Sequence, residues 1–174
     1  MQAKESIGYT LILLVLILVS NTSITIGMKK FDQISCAARL THMYNVLFQA
    51  LEDDPALFAK NPDIPWYATL NSLKPSFLLC PAAKKGSPPL QPTERCVHYS
   101  FNQRYYNLLK SGMAIPENEG EGILFLDSEI DPIGFQIYPF TNPAFRHNGG
   151  CMVLQCNGTV RWIDKDSFGG QSLY

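Results

Sequence analysis

Hydrophobic residues follow two unlike patterns in the N-terminal part of the chain. From Tyr9 to Val19, YTLILLVLILV, the chain is apolar without a break; Ser20, Asn21, Thr22 and Ser23 interrupt it, and ITIGM carries it on to Met28. A stretch that is apolar all round belongs in apolar surroundings. As a helix its length is about 30 Å, enough to span a bilayer core. The hydroxyls of the break can bond back to helix carbonyls, which makes it tolerable inside a span. From Phe31 the pattern changes. Phe31, Ile34, Ala37, Leu40, Tyr44, Leu47 and Leu51 recur in steps of three and four, while Lys29, Lys30, Asp32, Gln33, Arg39 and Asn45 lie off that stripe. This is one apolar face of a helix, and it predicts packing on a sheet. Pro55 ends the element, because the residue before a proline is pushed out of the helical region. Joined, the two patterns predict a single helix from Tyr9 to about Asp53, about 65 Å long.

The pattern then loses its regularity. Residues 55–121 read as loops with short helical pieces near Trp66–Leu73 and Gln103–Ser111; KKGSPPLQP and IPENEGE are loops. Strands are predicted at Gly122–Leu126, at Gly134–Tyr138, and in a terminal pair, CMVLQC and TVRWID, joined by Asn157-Gly158. Asn-Gly between apolar runs predicts a type I′ hairpin turn, with positive φ at both central residues. A two-residue loop sets Trp162 against Val153, and that pair is expected to face the core. The fold class that follows is α+β, with one long N-terminal helix packed on a small antiparallel sheet. The expected organisation is a leader at 1–8, a membrane part of the helix at 9–28, an amphipathic part at 29–54, and a loop-rich, sheet-bearing extracytoplasmic region at 55–174.

Charge adds little. The net charge is −1, which gives no electrostatic reason to expect nucleic acid as a partner. Lys4 precedes the span, and Lys29 and Lys30 follow it, so the basic residues do not orient it. A cleaved signal peptide would use Lys4 and residues 9–19 in a similar way, but no convincing small-x-small cleavage site follows Val19.

Two distant segments resemble one family. Gly8-Tyr9-Thr10-Leu11-Ile12 before the apolar run resembles the bacterial prepilin processing motif: a Gly before the cut, an aromatic first mature residue, then an apolar helix. Arg146-His147-Asn148-Gly149-Gly150 followed by Asn157-Gly158 is similar to a motif of His, nine residues and Asp-Gly near the C-terminus of many pilin-like proteins; Asn157 stands where that group has Asp. Ser35-Cys36-Ala37-Ala38, Trp66-Tyr67, Cys80-Pro81 and Tyr99-Ser100-Phe101-Asn102 resemble the middle of the same group. The resemblance implies a type IV pilin-like or type II secretion pseudopilin-like protein. It would be cut between Gly8 and Tyr9 by a prepilin peptidase and methylated at the new amine. It would cross the inner membrane once, with its C-terminal domain in the periplasm or outside the cell, and possible partners are other pilin-like subunits. His147, Asn157 and Gly158 would serve structure. The chain departs from the family at Leu13, where prepilins carry a Glu used in filament assembly. That departure favours a monomeric, envelope-anchored binding protein as the alternative.

No catalytic residue and no cofactor is expected. A secreted hydrolase would need a cysteine within reach of His147, in a cleft, with a third group to orient the pair. Zinc finds no paired Cys-x₂₋₄-Cys spacing: Cys80, Cys96 and His98 form one loose group, and His147, Cys151 and Cys156 another. The five cysteines of an exported chain read instead as disulfides or small buried residues. Cys80–Cys96 is the expected bridge, and Cys151 and Cys156 point to opposite faces of one strand. Asp127, Glu129 and Asp131 offer carboxylates to calcium but lack the ordered loop pattern, so they read as a solvated turn before Pro132. Tyr99, Phe101, Tyr105 and Tyr106 have no basic groove beside them and read as packing.

Overall fold

A computed structural model describes residues 2–83, 97–116, 119–128 and 143–168, with side chains from Leu14 onward. Helix α1, Gln2–Asp53, runs unbroken through both sequence patterns. In its first half the large apolar side chains from Leu14 to Met28 are 51–63% exposed. The polar break does not bend out of the helix. Thr22 Oγ1 and Ser23 Oγ each donate to the Val19 carbonyl at 2.9 Å, and Thr25 Oγ1 donates to that of Asn21 at 2.8 Å. These hydroxyls are satisfied within the helix, as a span requires.

The second half of α1 buries one stripe, Cys36, Leu40, Met43 and Leu47, spaced four, three and four. Ala37 and Tyr44 flank it, half-buried. The expected stripe began too early. Phe31 and Ile34 are 68% and 66% exposed, because among the described residues the packed core meets the helix from Cys36 onward.

Short elements follow: α2 at Leu57–Lys60, α3 at Trp66–Thr69, and a 3-10 turn at Pro75–Leu78. Strand β1, Tyr99–Phe101, leads into α4, Gln103–Lys110. Asn102 joins them. Its carbonyl oxygen caps α4 by accepting from Arg104 N–H at 3.0 Å, and its amide donates to the Ile123 carbonyl at 2.8 Å. Strands β2, Ile123–Asp127, β3, Gly150–Gln155, and β4, Val160–Asp164, complete an antiparallel sheet in the order β1-β2-β3-β4. Helix α5, Lys165–Phe168, follows. The strand expected at Gly134–Tyr138 lies outside the described residues.

Both faces of the sheet are covered. Toward α1 point Tyr99, Phe101, Phe125, Met152 and Leu154, in one cluster with the helix stripe, Phe58, Trp66, Tyr105 and Tyr106. The four aromatics at 99, 101, 105 and 106 are thus core. A bulge at Ile123/Phe125 lets both Leu124 and Phe125 face that cluster. The opposite face carries Leu126, Cys151, Val153 and Ile163 under Phe168 and Phe145. Cys151 and Cys156 fall in different clusters, on opposite sides of the sheet as expected.

The terminal hairpin is shifted from its expected register by one residue. Met152 lies opposite Trp162, and Val153 opposite Arg161. A slip of one residue turns every side chain over. Trp162, expected in the core, is instead 40% exposed. The cause is the loop, which has three residues. Gly158 N–H bonds to the Gln155 carbonyl at 3.0 Å and Gln155 N–H to the Thr159 carbonyl at 2.9 Å. Of the loop residues only Gly158 has positive φ, at 82°. This is a turn closed by a left-handed glycine, not a type I′ turn. The type I′ signature falls on the earlier Asn-Gly pair. Asn148 and Gly149 have φ of 56° and 80°, and His147 and Gly150 exchange both backbone bonds at 3.1 Å around them.

Gly158 also faces the ring of Tyr44, which a Cβ would meet at 3.2 Å. Gly158→Val should therefore destabilise the domain by about 1–2 kcal/mol or more, since a β-branched residue at positive φ is strained. Thermal unfolding of the detergent-solubilised chain measures it, and an unchanged midpoint would contradict this account of the loop.

Candidate functional site

Four side chains from four parts of the chain converge under the helix. Cys36 comes from the buried stripe of α1. Cys80 follows the 3-10 turn, Asp127 ends β2, and His147 opens the tight turn before β3. Their ligand-type atoms all lie within 4.8 Å of one another. Exposure is 0% for Cys36 and Asp127, 2% for His147 and 3% for Cys80.

Register explains the meeting of Asp127 with the helix. Asp127 pairs with Tyr99, whose side chain packs in the helix-side cluster, so the carboxylate points the same way. Tyr99 Oη donates to Cys36 Sγ at 3.4 Å. His147 reaches the group because the Asn148-Gly149 turn folds it back beside β3.

His147 Nε2 stands 3.2 Å from Cys80 Sγ and 3.0 Å from Asp127 Oδ2. The latter is an ion-pair distance without the alignment of a hydrogen bond. Both Asp127 oxygens and His147 Nδ1 lack a hydrogen-bond partner among the described residues. Arg146 Nε lies 3.3 Å from Asp127 Oδ2, and its guanidinium donates to the Ser128 carbonyl. Desolvation pulls the His147 imidazole down, but the contacts to Asp127 and Cys80 outweigh it and raise its pKa to about 9. The neighbouring Cys36 and burial push the Cys80 thiol far up.

The backbone around the cluster is tied at every side. Cys80 N–H donates to His98 Nδ1 at 2.8 Å. His98 N–H donates to the Leu78 carbonyl at 2.7 Å, and its own carbonyl accepts from Ser128 N–H at 2.7 Å. Burial, then the charge of Arg146, lowers the His98 pKa to about 4, so this ring is a neutral acceptor. Arg39 of α1 donates to the Leu79 carbonyl. Cys151 Sγ donates to the Asp127 carbonyl at 3.2 Å, and Ala144 N–H to the same oxygen at 2.9 Å. Trp162 Nε1 donates to the His147 carbonyl at 2.6 Å, which fixes the indole over the turn despite its exposure.

Several sequence expectations change here. Asp127 is not part of a solvated turn: it is fully buried and turned toward Cys36, His147 and Arg146. Glu129 and Asp131 lie outside the described residues, as does Cys96, the expected disulfide partner of Cys80. Cys80 is a free thiol whose sulfur points at His147, and Cys36, Cys151 and Cys156 are also free and buried. The His147 backbone closes its own turn, and the ring faces Cys80 and Asp127. Asn157 and Gly158 sit in the hairpin loop, and the side chain of Asn157 accepts from Thr159 N–H at 2.9 Å. His98 is a positioning group, and the structure does not bring Cys156 to His147's cluster. Cys36 was hidden in a helical stripe, where a cysteine looks like any small apolar residue.

The arrangement is not that of a nucleophile triad. Such a site uses one imidazole nitrogen for the nucleophile and the other for the orienting carboxylate. Here Cys80 and Asp127 both approach Nε2. The thiol is also buried and held protonated.

No protein-family model matches this chain, and no curated protein or solved structure is significantly similar to it.

Removing one member of this buried set strands the others. His147→Ala should destabilise the domain by about 3 kcal/mol or more, because Asp127 keeps its burial and loses its nearest partner. The double variant His147→Ala, Asp127→Ala should recover part of that loss. Chemical unfolding of the three proteins measures the coupling, and strict additivity would contradict a shared cluster.

Proposed function

We propose that this chain is a pilin-like, membrane-anchored protein of the cell envelope, whose small α+β domain serves structure or interaction and not turnover. One observation carries the reading: a single 52-residue helix exposes its apolar side chains from Leu14 to Met28 and packs on the sheet from Cys36 onward. Within the described residues, Leu14–Asp53 is the one helix long and apolar enough to cross a membrane. A soluble domain gains nothing from presenting that surface to water, whereas a bilayer gives it an apolar partner. The leader ending in Gly8 before Tyr9 supports processing by a prepilin peptidase. The domain would then stand in the periplasm or outside the cell.

Two readings divide on assembly. A type II secretion or type IV pilus-like assembly would use the helix to pack against other pilin-like subunits. Leu13 in place of the assembly glutamate supports a chain that remains an unassembled, anchored binding protein. The buried, Nε2-centred cluster supports a non-catalytic role over a thiol hydrolase.

Mass analysis of the membrane-extracted protein tests the reading. The mature chain should begin at Tyr9 and carry a methyl group on its amine. A start beyond Ser20 would overturn it in favour of a signal peptide and a secreted domain. Cross-linking in intact cells separates the two assembly readings: ladders support a filament, and a single band supports the anchored monomer.

A further inference from the structure

We propose that Cys36, Cys80, Asp127 and His147 form a closed, structural zinc site that clamps α1 to the sheet. Their donor atoms lie within 4.8 Å of one another in a buried space. A tetrahedral zinc with bonds of about 2.0–2.3 Å holds its donors roughly 3.3–3.8 Å apart. The 3.0 Å and 3.2 Å separations about His147 Nε2 are close to that spacing. Two sulfurs, an imidazole nitrogen and a carboxylate oxygen suit zinc, and their number fills its coordination sphere. With no position left open, the ion would hold structure and activate no water.

Unsatisfied atoms supply a second argument. Asp127 is fully buried, yet neither of its oxygens has a hydrogen-bond partner among the described residues. Arg146 and His147 stand at ion-pair distance without hydrogen-bond geometry, and a buried carboxylate met only so loosely is costly. Zinc would bind one of those oxygens. On binding, the thiol protons of Cys36 and Cys80 and the Nε2 proton of His147 leave to solvent, and His147 keeps its remaining proton on Nδ1. The two thiolates and the carboxylate exceed the charge of Zn²⁺ by one unit. Arg146, 3.3 Å from Asp127, supplies the balance.

The surroundings are those of a held site. Tyr99 donates to Cys36 Sγ, His98 accepts from the Cys80 N–H, and Cys151 and Ala144 both donate to the Asp127 carbonyl. Such outer contacts orient ligands and raise affinity. This inference does not rest on membrane processing; it concerns the folded domain alone.

The full chain, purified in detergent from cells grown with zinc, should contain about one zinc per chain by elemental analysis. Replacement with Co²⁺ should give the visible bands of a tetrahedral ion and the near-ultraviolet charge transfer of two thiolates. That spectrum is read on the wild type and needs no variant to fold. Zinc content should fall at least about tenfold in Cys36→Ser and in Asp127→Asn. It should stay at the wild-type ratio in Cys156→Ser, which alters a buried thiol outside the cluster and outside its outer contacts. A wild-type chain without zinc and without a tetrahedral cobalt spectrum would overturn the proposal. So would peptide mapping that finds Cys80 in a disulfide with Cys36 or Cys96. Zinc retained at the wild-type ratio in the Cys36→Ser, His147→Gln double variant would equally place the metal elsewhere and defeat the assignment.

Discussion

The seating of the second half of α1 on the sheet is the interaction on which the rest depends. Cys36, Leu40, Met43 and Leu47 fill one side of a core whose other side is Phe101, Phe125, Met152 and Leu154. Cutting one such leucine to alanine typically costs about 2–5 kcal/mol, a large share of a small domain's stability. The irregular connections from Leu57 to Leu78 have few backbone bonds of their own to a sheet. They are held because Phe58, Trp66, Leu70 and Leu78 insert into this same core. Trp66 packs against Phe125 at a centroid distance of 5.0 Å, and Phe58 meets Tyr106 edge-on at 5.7 Å. Without the helix, the α1 face of the sheet would be an exposed aromatic surface.

At one end of this apolar interface the chain places its polar cluster, and the two depend on each other. Asp127 can be buried only because the helix covers it. The helix can approach there only if that carboxylate is met by Arg146, His147 and the two sulfurs. A buried polar group of this kind gives little net stability compared with an apolar replacement, but it penalises every other docking of the helix. An α1 slid or rotated by one turn would leave Asp127 and Arg146 facing hydrocarbon. Specificity of seating, more than strength, is what the cluster contributes.

How much of this was legible in the sequence follows from the range of each interaction. The helix, its end before Pro55, strand β2 and the two terminal strands come from local periodicity; the helix begins at Gln2, ahead of the expected Tyr9. The hairpin register was not legible, because Asn-Gly suits either a two-residue or a three-residue loop and only backbone geometry decides between them. Asn148-Gly149 takes the turn with two positive φ values, and Asn157-Gly158 takes a three-residue loop with one. That single residue of difference moved Trp162 from the expected core to a partly exposed position over the His147 turn. Strand β1 is only three residues long and has no periodicity to read; its pairing with β2 defines it. His147 was singled out by its motif, and Cys80 and Asp127 by other readings, yet nothing local joined them to Cys36. The four are spread from the first helix to the last hairpin, so no spacing rule for metal or nucleophile sites could collect them.

The position of the cluster along α1 has a mechanical consequence. Cys36 is the first fully buried residue of the helix; before it the described side chains are exposed or only half-covered. Among the described residues, the helix therefore projects from the packed core as a rod at this point. Any lateral force on the apolar half acts on the domain with the lever of that rod, and the first contact bears most of it. An apolar contact there resists poorly, since it is non-directional and yields by sliding. Directional contacts resist better. At this point the structure supplies the Tyr99 hydroxyl on Cys36, the Arg39 guanidinium on the Leu79 carbonyl, and the four-residue cluster itself. Three positions further along the helix, Arg39 thus holds the loop that carries Cys80, and Cys36 meets Cys80 from the other side. The polar groups of the interface are concentrated where the helix passes from its exposed stretch into the packed core.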